Sequence, residues 1–166
     1  MRATRKGHSN PYAAFFAPIG ELAVNFALLE KHLDWAIWVF LQTKESQWRA
    51  IVDHIPSVRS RIDLFATLCR LKKLRARDED ELEELLSALM LANDNRNAIL
   101  HGQWGAVAVL DGGAQKRRYA ARGKFKALSA SYSPEQIRDM AASCAATAAR
   151  LGRFMKRFDS AARKRT

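Results

Sequence analysis

Apolar residues recur at intervals of three and four between residues 18 and 42, and this spacing predicts one long α-helix. The main stripe consists of Leu22, Phe26, Leu29, Leu33, Ile37 and Phe40. A second apolar stripe falls on nearly the opposite side and consists of Val24, Leu28, Trp35, Trp38 and Val39. A helix with two apolar faces must be covered twice. Because a chain of 166 residues has few spare elements, we expect a partner subunit to cover the second face.

Two shorter helices are predicted after this one. The first covers about residues 44–54 and ends before Pro56, which cannot continue a helix. Ser57 then provides a suitable N-cap for a third helix that reaches about residue 74. Both segments carry their apolar residues at helical spacing, so we expect them to pack against the first helix.

Start signals also mark a fourth helix and a last helix. Asp78 and Glu81 match the D-x-x-E form of a capping box and predict that the fourth helix opens at Asp78. The segment 133–136, Ser-Pro-Glu-Gln, supplies an N-cap, a proline at the first helical position and a capping-box Gln. The last helix is predicted to run from there to about residue 158.

Between the fourth and last helices the period of the sequence changes. Val107 and Val109 alternate with small residues, and the segment 111–113, Asp-Gly-Gly, supplies a turn. A second strand is predicted over about residues 117–128. We therefore expect a β-hairpin insertion at residues 104–128.

The predicted fold class is all-α, an up-and-down bundle of four or five helices with a small β-hairpin inserted before the last helix. We see no internal repeat and no low-complexity linker, so residues 1–166 are predicted to form a single domain. The basic ends at residues 1–13 and 159–166 are predicted to be flexible tails.

The net charge of +11 favours a polyanionic partner, because self-repulsion of this size contributes nothing to folding. Nucleic acid is the obvious candidate, although solvated surface lysines and arginines give the same sum. We predict no membrane span, because charged residues interrupt the longest apolar stretches. These residues are Glu30, Lys31, His32 and Asp34.

The two cysteines, Cys69 and Cys144, show neither CxxC nor zinc-site spacing and lie among apolar neighbours. We interpret both as core residues. A cytoplasmic location is therefore expected, and the basic N-terminal segment lacks the apolar region of a secretory signal.

The fourth helix carries a polar cluster on its apolar side. Its stripe of Leu82, Leu85, Leu86, Leu89 and Met90 is followed on the same face by Asn93, Arg96, Asn97 and Leu100. An unpartnered buried polar group costs about 1 to 3 kcal/mol, and a guanidinium costs more. We therefore expect these groups to be paired or to line a wet cleft.

Arg96 and His101 are five residues apart, which in a straight helix separates them by about 140° and about 7.5 Å. Within one straight helix they would not meet easily. Two helices related by a twofold axis could bring both pairs into one cleft, in agreement with the second apolar stripe of the first helix.

The acidic run at residues 78–84 is interpreted as negative charge placed favourably at a helix N-terminus. We expect neither a metal ion nor another cofactor. Four basic residues of the predicted second strand, Arg118, Arg122, Lys124 and Lys126, share one side of it beside the polar cluster. They are either an RNA contact or a solvated edge protected by charge.

The segment 96–101, Arg-Asn-Ala-Ile-Leu-His, resembles the R-N-x-x-x-H signature of the HEPN (higher eukaryotes and prokaryotes nucleotide-binding) superfamily. The resemblance covers the helical core, about residues 18–101 and 134–158. It implies a helical bundle that forms a homodimer with a composite site in a basic cleft. Many members are metal-independent endoribonucleases, often toxins of toxin–antitoxin or antiviral systems.

The resemblance also implies roles for the motif residues. Arg96 would hold the scissile phosphate, His101 would act as general acid or base, and Asn97 would orient the phosphate or the histidine. Asn93 and the four basic hairpin residues are candidates for substrate binding. RNA supplies its own nucleophile, the 2′-hydroxyl, so a guanidinium and a proton-transfer group suffice.

One subgroup, the toxins silenced by a nucleotidyltransferase antitoxin, has a tyrosine two residues after the histidine. Gln103 stands there in this chain, so that form of control is not expected, although another antitoxin or protein partner is possible. Two hypotheses remain: a homodimeric ribonuclease that cleaves RNA, or a non-catalytic HEPN-like domain that binds RNA, a nucleotide or a protein. In a third interpretation His101 only stabilises a helix C-terminus.

Overall fold

The computed structural model describes residue 10 and residues 12–55, 57–72, 74–101, 103–104, 114–121 and 125–162. The helices in this part of the chain are α1 (Ala13–Leu41), α2 (Glu45–Val52), α3 (Val58–Leu71), α4 (Ala76–Leu100) and α5 (Pro134–Ala162). The strands β1 (Gln103–Trp104), β2 (Ala114–Ala121) and β3 (Phe125–Tyr132) lie between α4 and α5. The protein is an all-α helical bundle, as the sequence predicts.

Helices α1, α3 and α5 run in one direction, while α2 and α4 run in the other. The pairs Asp34–Arg61 and Phe40–Phe65 orient α3 parallel to α1. The pairs Asn25–Ala141 and Phe40–Phe158 orient α5 parallel to α1. The pairs Phe15–Trp104 and Asp78–Arg157 orient α4 antiparallel to both. Arg61 bonds both to Asp34 of α1 and to the carbonyl of Ile55, which follows α2. The end of α2 therefore lies beside Asp34, so α2 runs back along α1. As a result α1 and α5 lie parallel, and α4 ends beside the beginning of α1.

All six residues of the predicted main stripe of α1 are buried in the core. Four phenylalanine rings from α1, α3 and α5 pack at one end of the bundle with centroid separations of 5.2 to 6.4 Å. The rings belong to Phe40, Phe65, Phe154 and Phe158. Cys69 and Cys144 are buried, which confirms that both are core residues.

The second apolar stripe of α1 is only partly covered within the chain. Trp35, Trp38 and Val39 are half-buried and pack against the core. Val24 and Leu28 remain 61% and 48% exposed. The chain itself therefore covers the last part of this face, and the described residues leave its first part open.

Helix α1 begins at Ala13, five residues before the predicted start at Pro18. The proline lies inside the helix, where it removes one backbone donor, but its ring is buried beside the core. Burial of Phe15 in the added turn offsets part of that loss. Residue 13 of the predicted flexible tail is helical, while residues 1–9 and 11 lie outside the described residues.

The predicted caps of α3 and α5 are confirmed. The Ser57 hydroxyl accepts a hydrogen bond from the amide of Ser60 at 3.0 Å. The Ser133 hydroxyl and the Gln136 side chain form a reciprocal capping box, with bonds of 3.2 and 2.8 Å. Helix α5 continues to Ala162, beyond its predicted end, and residues 163–166 lie outside the described residues.

The predicted start of α4 is wrong. The helix begins at Ala76, after the N-cap Arg75, which makes no side-chain cap bond. Asp78 and Glu81 do not form a capping box; their carboxylates lie 3.3 and 2.8 Å from the guanidinium of Arg157 on α5. The other cross-helix pairs of this acidic run are Glu83–Arg70 at 2.7 Å and Glu84–Arg150 at 2.5 Å. The acids thus connect α4 to α3 and α5.

The inserted sheet has the order β1-β2-β3, and both pairings are antiparallel. The predicted second strand at 117–128 is wrong as a single element, because the chain turns between Ala121 and Phe125. The predicted first strand and its turn, within residues 105–113, lie outside the described residues.

Helix α1 is long and apolar enough to cross a membrane by length and composition. Its most apolar 18-residue window has a mean hydropathy of 1.4, and 28% of this window is buried. We predicted no such segment, because we considered the charged residues of its second half to interrupt the apolar run. Core helices of soluble proteins satisfy the same criteria of length and composition, and the main stripe of α1 lies in the core of the bundle.

Candidate functional site at the end of α4

The polar cluster follows the apolar stripe of α4 to the end of the helix, as predicted. Asn93 is 8% exposed, Arg96 and Asn97 are half-buried, and His101 is exposed. Exposure of the side chains therefore increases from Asn93 towards His101. The cluster opens to solvent at the C-terminus of α4.

Arg96 and His101 contact each other within one chain, contrary to the prediction. The Nη1 atom of Arg96 lies 2.5 Å from Nε2 of His101. The expected separation of about 140° assumed that the helix continues through His101. His101 is instead the C-cap, with φ −104° and ψ 3°, and only its amide still bonds to the helix, at the carbonyl of Asn97. The change of backbone direction brings the imidazole back to the guanidinium.

The donor inventory fixes the protonation pattern of this pair. A guanidinium can only donate hydrogen bonds, so Nε2 of His101 must accept and carries no proton in this contact. The same Nη1 atom donates to Oδ1 of Asn97 at 3.0 Å. The three motif residues thus form one hydrogen-bonded unit centred on Arg96.

One donor of Arg96 is left over. Its Nε atom is buried and has no hydrogen-bond partner among the described residues. A buried N–H without a partner costs about 1 to 3 kcal/mol, and more on a charged group. Such an atom favours an anionic acceptor close to the guanidinium.

Phe26 of α1 supports the guanidinium from below. The Cζ atom of Arg96 lies 5.4 Å from the centroid of the Phe26 ring, within the range of a cation–π contact. Sequence reasoning placed Phe26 correctly in the core stripe but missed this role. No sequence signal indicates it, because the contact depends on how α1 packs against α4.

Trp104 packs the segment that follows His101 against the rest of the protein. Its indole Nε1 donates to the carbonyl of Ile99 at 3.2 Å, and its ring packs against Phe15 and Tyr132 at 5.8 and 6.5 Å. Strand β1 is therefore folded back onto the last turn of α4. The indole holds the backbone on both sides of His101, so it limits how far the imidazole can move.

The predicted substrate-binding residues are distributed as follows. Asn93 lies in the cluster but is almost fully buried, so little of its side chain faces solvent. Arg118 lies on β2, and Lys126 lies on β3 opposite Ala120, in a sheet that begins two residues after His101. Arg122 and Lys124 lie outside the described residues.

The arrangement combines a fixed cation with a neutral imidazole that faces solvent. Such a pair can hold an anion and exchange a proton beside it. In the described part of the chain, no group of three or more His, Cys, Asp or Glu side chains is placed to hold a metal ion.

Comparison with family models, curated proteins and solved structures finds no match to this chain.

Proposed function

We propose that this protein is a metal-independent endoribonuclease of the HEPN type, with Arg96, Asn97 and His101 as its catalytic residues. The observation that carries the proposal is the contact between Arg96 and the unprotonated Nε2 of His101. It joins an anion-binding group and a proton acceptor at a solvent-exposed helix end. The buried, unpartnered Nε of Arg96 supports a phosphate as the missing acceptor.

The chemistry needs a base and an acid on opposite sides of the phosphorus. When the phosphate draws the guanidinium of Arg96 away from His101, the freed lone pair of Nε2 takes the proton of the 2′-hydroxyl. The 2′-oxygen forms a bond to the adjacent phosphorus. The bond between phosphorus and the 5′-oxygen breaks, which leaves a 2′,3′-cyclic phosphate and a 5′-hydroxyl. Arg96 stabilises the charge on the non-bridging oxygens, and Asn97 keeps Arg96 in place.

A second copy of the chain supplies the acid. One imidazole cannot stand on both sides of the phosphorus. The His101 of a second protomer, once it is released from its own Arg96 and protonated at Nε2, can donate to the leaving 5′-oxygen. Phe16 and Val24 on α1 and Leu91 on α4 are 60%, 61% and 56% exposed, in the half of the bundle that carries the motif. Burial of these side chains in a homodimer interface would stabilise the composite site.

RNA fits the charge and the chemistry. The net charge of +11 attracts a polyanion, and the sequence segment 118–126 contributes four basic residues as candidates for phosphate contacts, Arg118, Arg122, Lys124 and Lys126. DNA lacks the attacking hydroxyl and is not cleaved. We propose a cytoplasmic toxin or antiviral effector, restrained by an antitoxin or other protein partner.

The alternative is a non-catalytic HEPN-like domain that binds RNA, a nucleotide or a protein. The observation that favours it is the self-contained pairing of Arg96, which already bonds to Asn97 and His101 and stacks on Phe26. In that case the hydrogen bonds of the cluster only stabilise the C-terminal end of α4 in the fold.

The test is incubation of the purified protein with single-stranded and structured RNA in EDTA, with analysis of the product ends. The wild type should release 2′,3′-cyclic phosphate ends, and His101→Ala should not. His54→Ala is the matched control, because His54 is exposed and its imidazole bonds to the carbonyl of Ala50 on α2, away from the cluster. Absence of cleavage, or equal cleavage by wild type and His101→Ala, would contradict the proposal and favour the binding domain.

A further inference from the structure

A groove of about 500 Å³ lies between α1 and α5 on the side of α1 opposite Phe26. Its lining consists of Leu28, Lys31, His32 and Trp35 from α1 and Gly152 and Lys156 from α5. At 100° per residue, Trp35 points about 180° away from Phe26, which packs beneath Arg96. The groove therefore shares no residue with the Arg96–His101 site.

The floor of the groove is apolar and flat. The indole of Trp35 is half-buried, and Leu28 beside it is 48% exposed. Gly152 contributes no side chain on the α5 side, where the nearest atom to a Cβ would be Cδ2 of His32 at 3.8 Å, an ordinary contact distance. An aromatic ring is suited to packing against an indole.

The rim of the groove is cationic. Lys31 and Lys156 are exposed, and neither forms an ion pair with any residue that the structure describes. His32 Nδ1 lies 2.8 Å from the carbonyl of Leu28, so it donates there and leaves Nε2 as a free acceptor. Among the residues that the structure describes, no carboxylate lines the groove beside the two ammonium groups.

We propose that this groove binds a nucleotide, with the base against Trp35 and the phosphate between Lys31 and Lys156. The apolar floor accounts for the base, the two ammonium groups account for the phosphate, and Nε2 of His32 can accept from a ribose hydroxyl or an exocyclic amine. The volume is within the range of pockets for small ligands. The site is independent of RNA cleavage and remains if the proposed ribonuclease activity is absent.

The test is isothermal titration calorimetry with AMP, adenosine and inorganic phosphate, on a His101→Ala background that keeps any RNA intact. AMP should bind more tightly than either part alone. Trp35→Leu should weaken AMP binding at least fivefold, and the double variant Lys31→Ala/Lys156→Ala at least tenfold. Arg153→Ala is the matched control, because Arg153 is an exposed cation of α5 outside the groove and should leave AMP binding unchanged.

Thermal melting of each variant establishes that it is folded. Equal affinity for AMP and phosphate would overturn the proposal, as would AMP binding that survives Trp35→Leu or fails to appear in the parent protein. An adenylate hexamer added as a further probe identifies the source of the nucleotide. Tighter binding of the hexamer, lost with Trp35→Leu, assigns the groove to an RNA strand, whereas tighter binding of AMP assigns it to a free nucleotide.

Discussion

The guanidinium of Arg96 donates to Nε2 of His101 in the same chain, across a distance of 2.5 Å. Half of the proposed composite site is therefore assembled within one protomer. A second copy is needed to supply the acid and not to bring Arg96 and His101 together. The geometry of the motif therefore does not depend on the oligomeric state of the protein, although the sequence analysis linked the two.

Replacement of Phe26 by leucine tests the support under Arg96. Phe26→Leu should remain folded with a loss of roughly 1 kcal/mol in unfolding free energy, because the change keeps an apolar side chain in the core. Loss of the cation–π contact should lower the rate of RNA cleavage about fivefold to tenfold. Urea denaturation and cleavage kinetics measure the two effects.

Phe65→Leu is the control for that experiment. Phe65 is equally buried, but the rings that it packs against, Phe40 and Phe154, belong to the aromatic cluster at the other end of the bundle. It should lose similar stability and keep its cleavage rate. If both variants cleave RNA equally well, the contact with Phe26 has no role at the site.

Replacement of Trp104 by phenylalanine tests how the chain holds His101. Trp104→Phe keeps an aromatic ring against Phe15 and removes the bond from Nε1 to the carbonyl of Ile99, at a cost of about 1 kcal/mol. The looser backbone should broaden the imidazole NMR signals of His101 and lower cleavage about fivefold. Trp38→Phe removes a similar bond to Thr43, so it should match the stability loss without changing His101.

A charge at Val24 tests the proposed dimer. The side chain is 61% exposed, so Val24→Glu should cost the monomer little stability. A carboxylate buried in a dimer interface is strongly unfavourable, so the variant should sediment as a monomer and lose RNA cleavage. Ser46→Glu, which adds the same charge at an exposed position of α2, should behave as the wild type. A dimer that survives Val24→Glu would place the interface elsewhere.

The buried thiols of Cys69 and Cys144 predict slow labelling of the folded protein by a thiol reagent. Burial raises the pKa of Cys69 to about 12 against a smaller lowering by Arg70, and burial also raises the pKa of Cys144. A raised pKa keeps the thiol protonated, so at pH 8 the thiolate of Cys69 is roughly a thousandfold rarer than in an unfolded chain. Ellman's reagent should label the folded protein very slowly and react fully in guanidinium chloride. Fast labelling of the native protein would contradict the packing of the core.

Helical periodicity predicted the elements of the bundle because the buried stripe of each helix depends on local spacing. The ends of the helices were harder to predict. Asp78 and Glu81 form a correct capping pattern in sequence, yet their carboxylates bind Arg157, which follows them by more than 70 residues. A local pattern cannot reveal a partner that distant.

The polar cluster at the end of α4 was predicted in composition but not in geometry. Arg96, Asn97 and His101 were identified from the polar positions on an apolar face, which is a local signal. Their contact was missed because helical geometry was extended by one residue past the end of α4. Phe26 and Trp104 contribute through tertiary packing alone.

The inserted sheet shows the limit of turn signals. The sequence offers two breaks, the segment 111–113 with two glycines and the shorter segment around Gly123. We placed one hairpin turn at the first, and the strands on its two sides, β1 and β2, pair antiparallel. The second antiparallel pair, β2 with β3, was not predicted, because pairing energy is not visible in one strand.

The parallel contact between α1 and α5 has a consequence for synthesis of the chain. The side-chain amide of Asn25 donates to the carbonyl of Ala141, 116 residues later in the chain. The first helix therefore cannot complete its packing until the last helix has left the ribosome. Until then the most apolar helix of the protein is without its main neighbour. Closure over so long a loop slows folding, and the apolar stripe of α1 stays without its main partner during that interval.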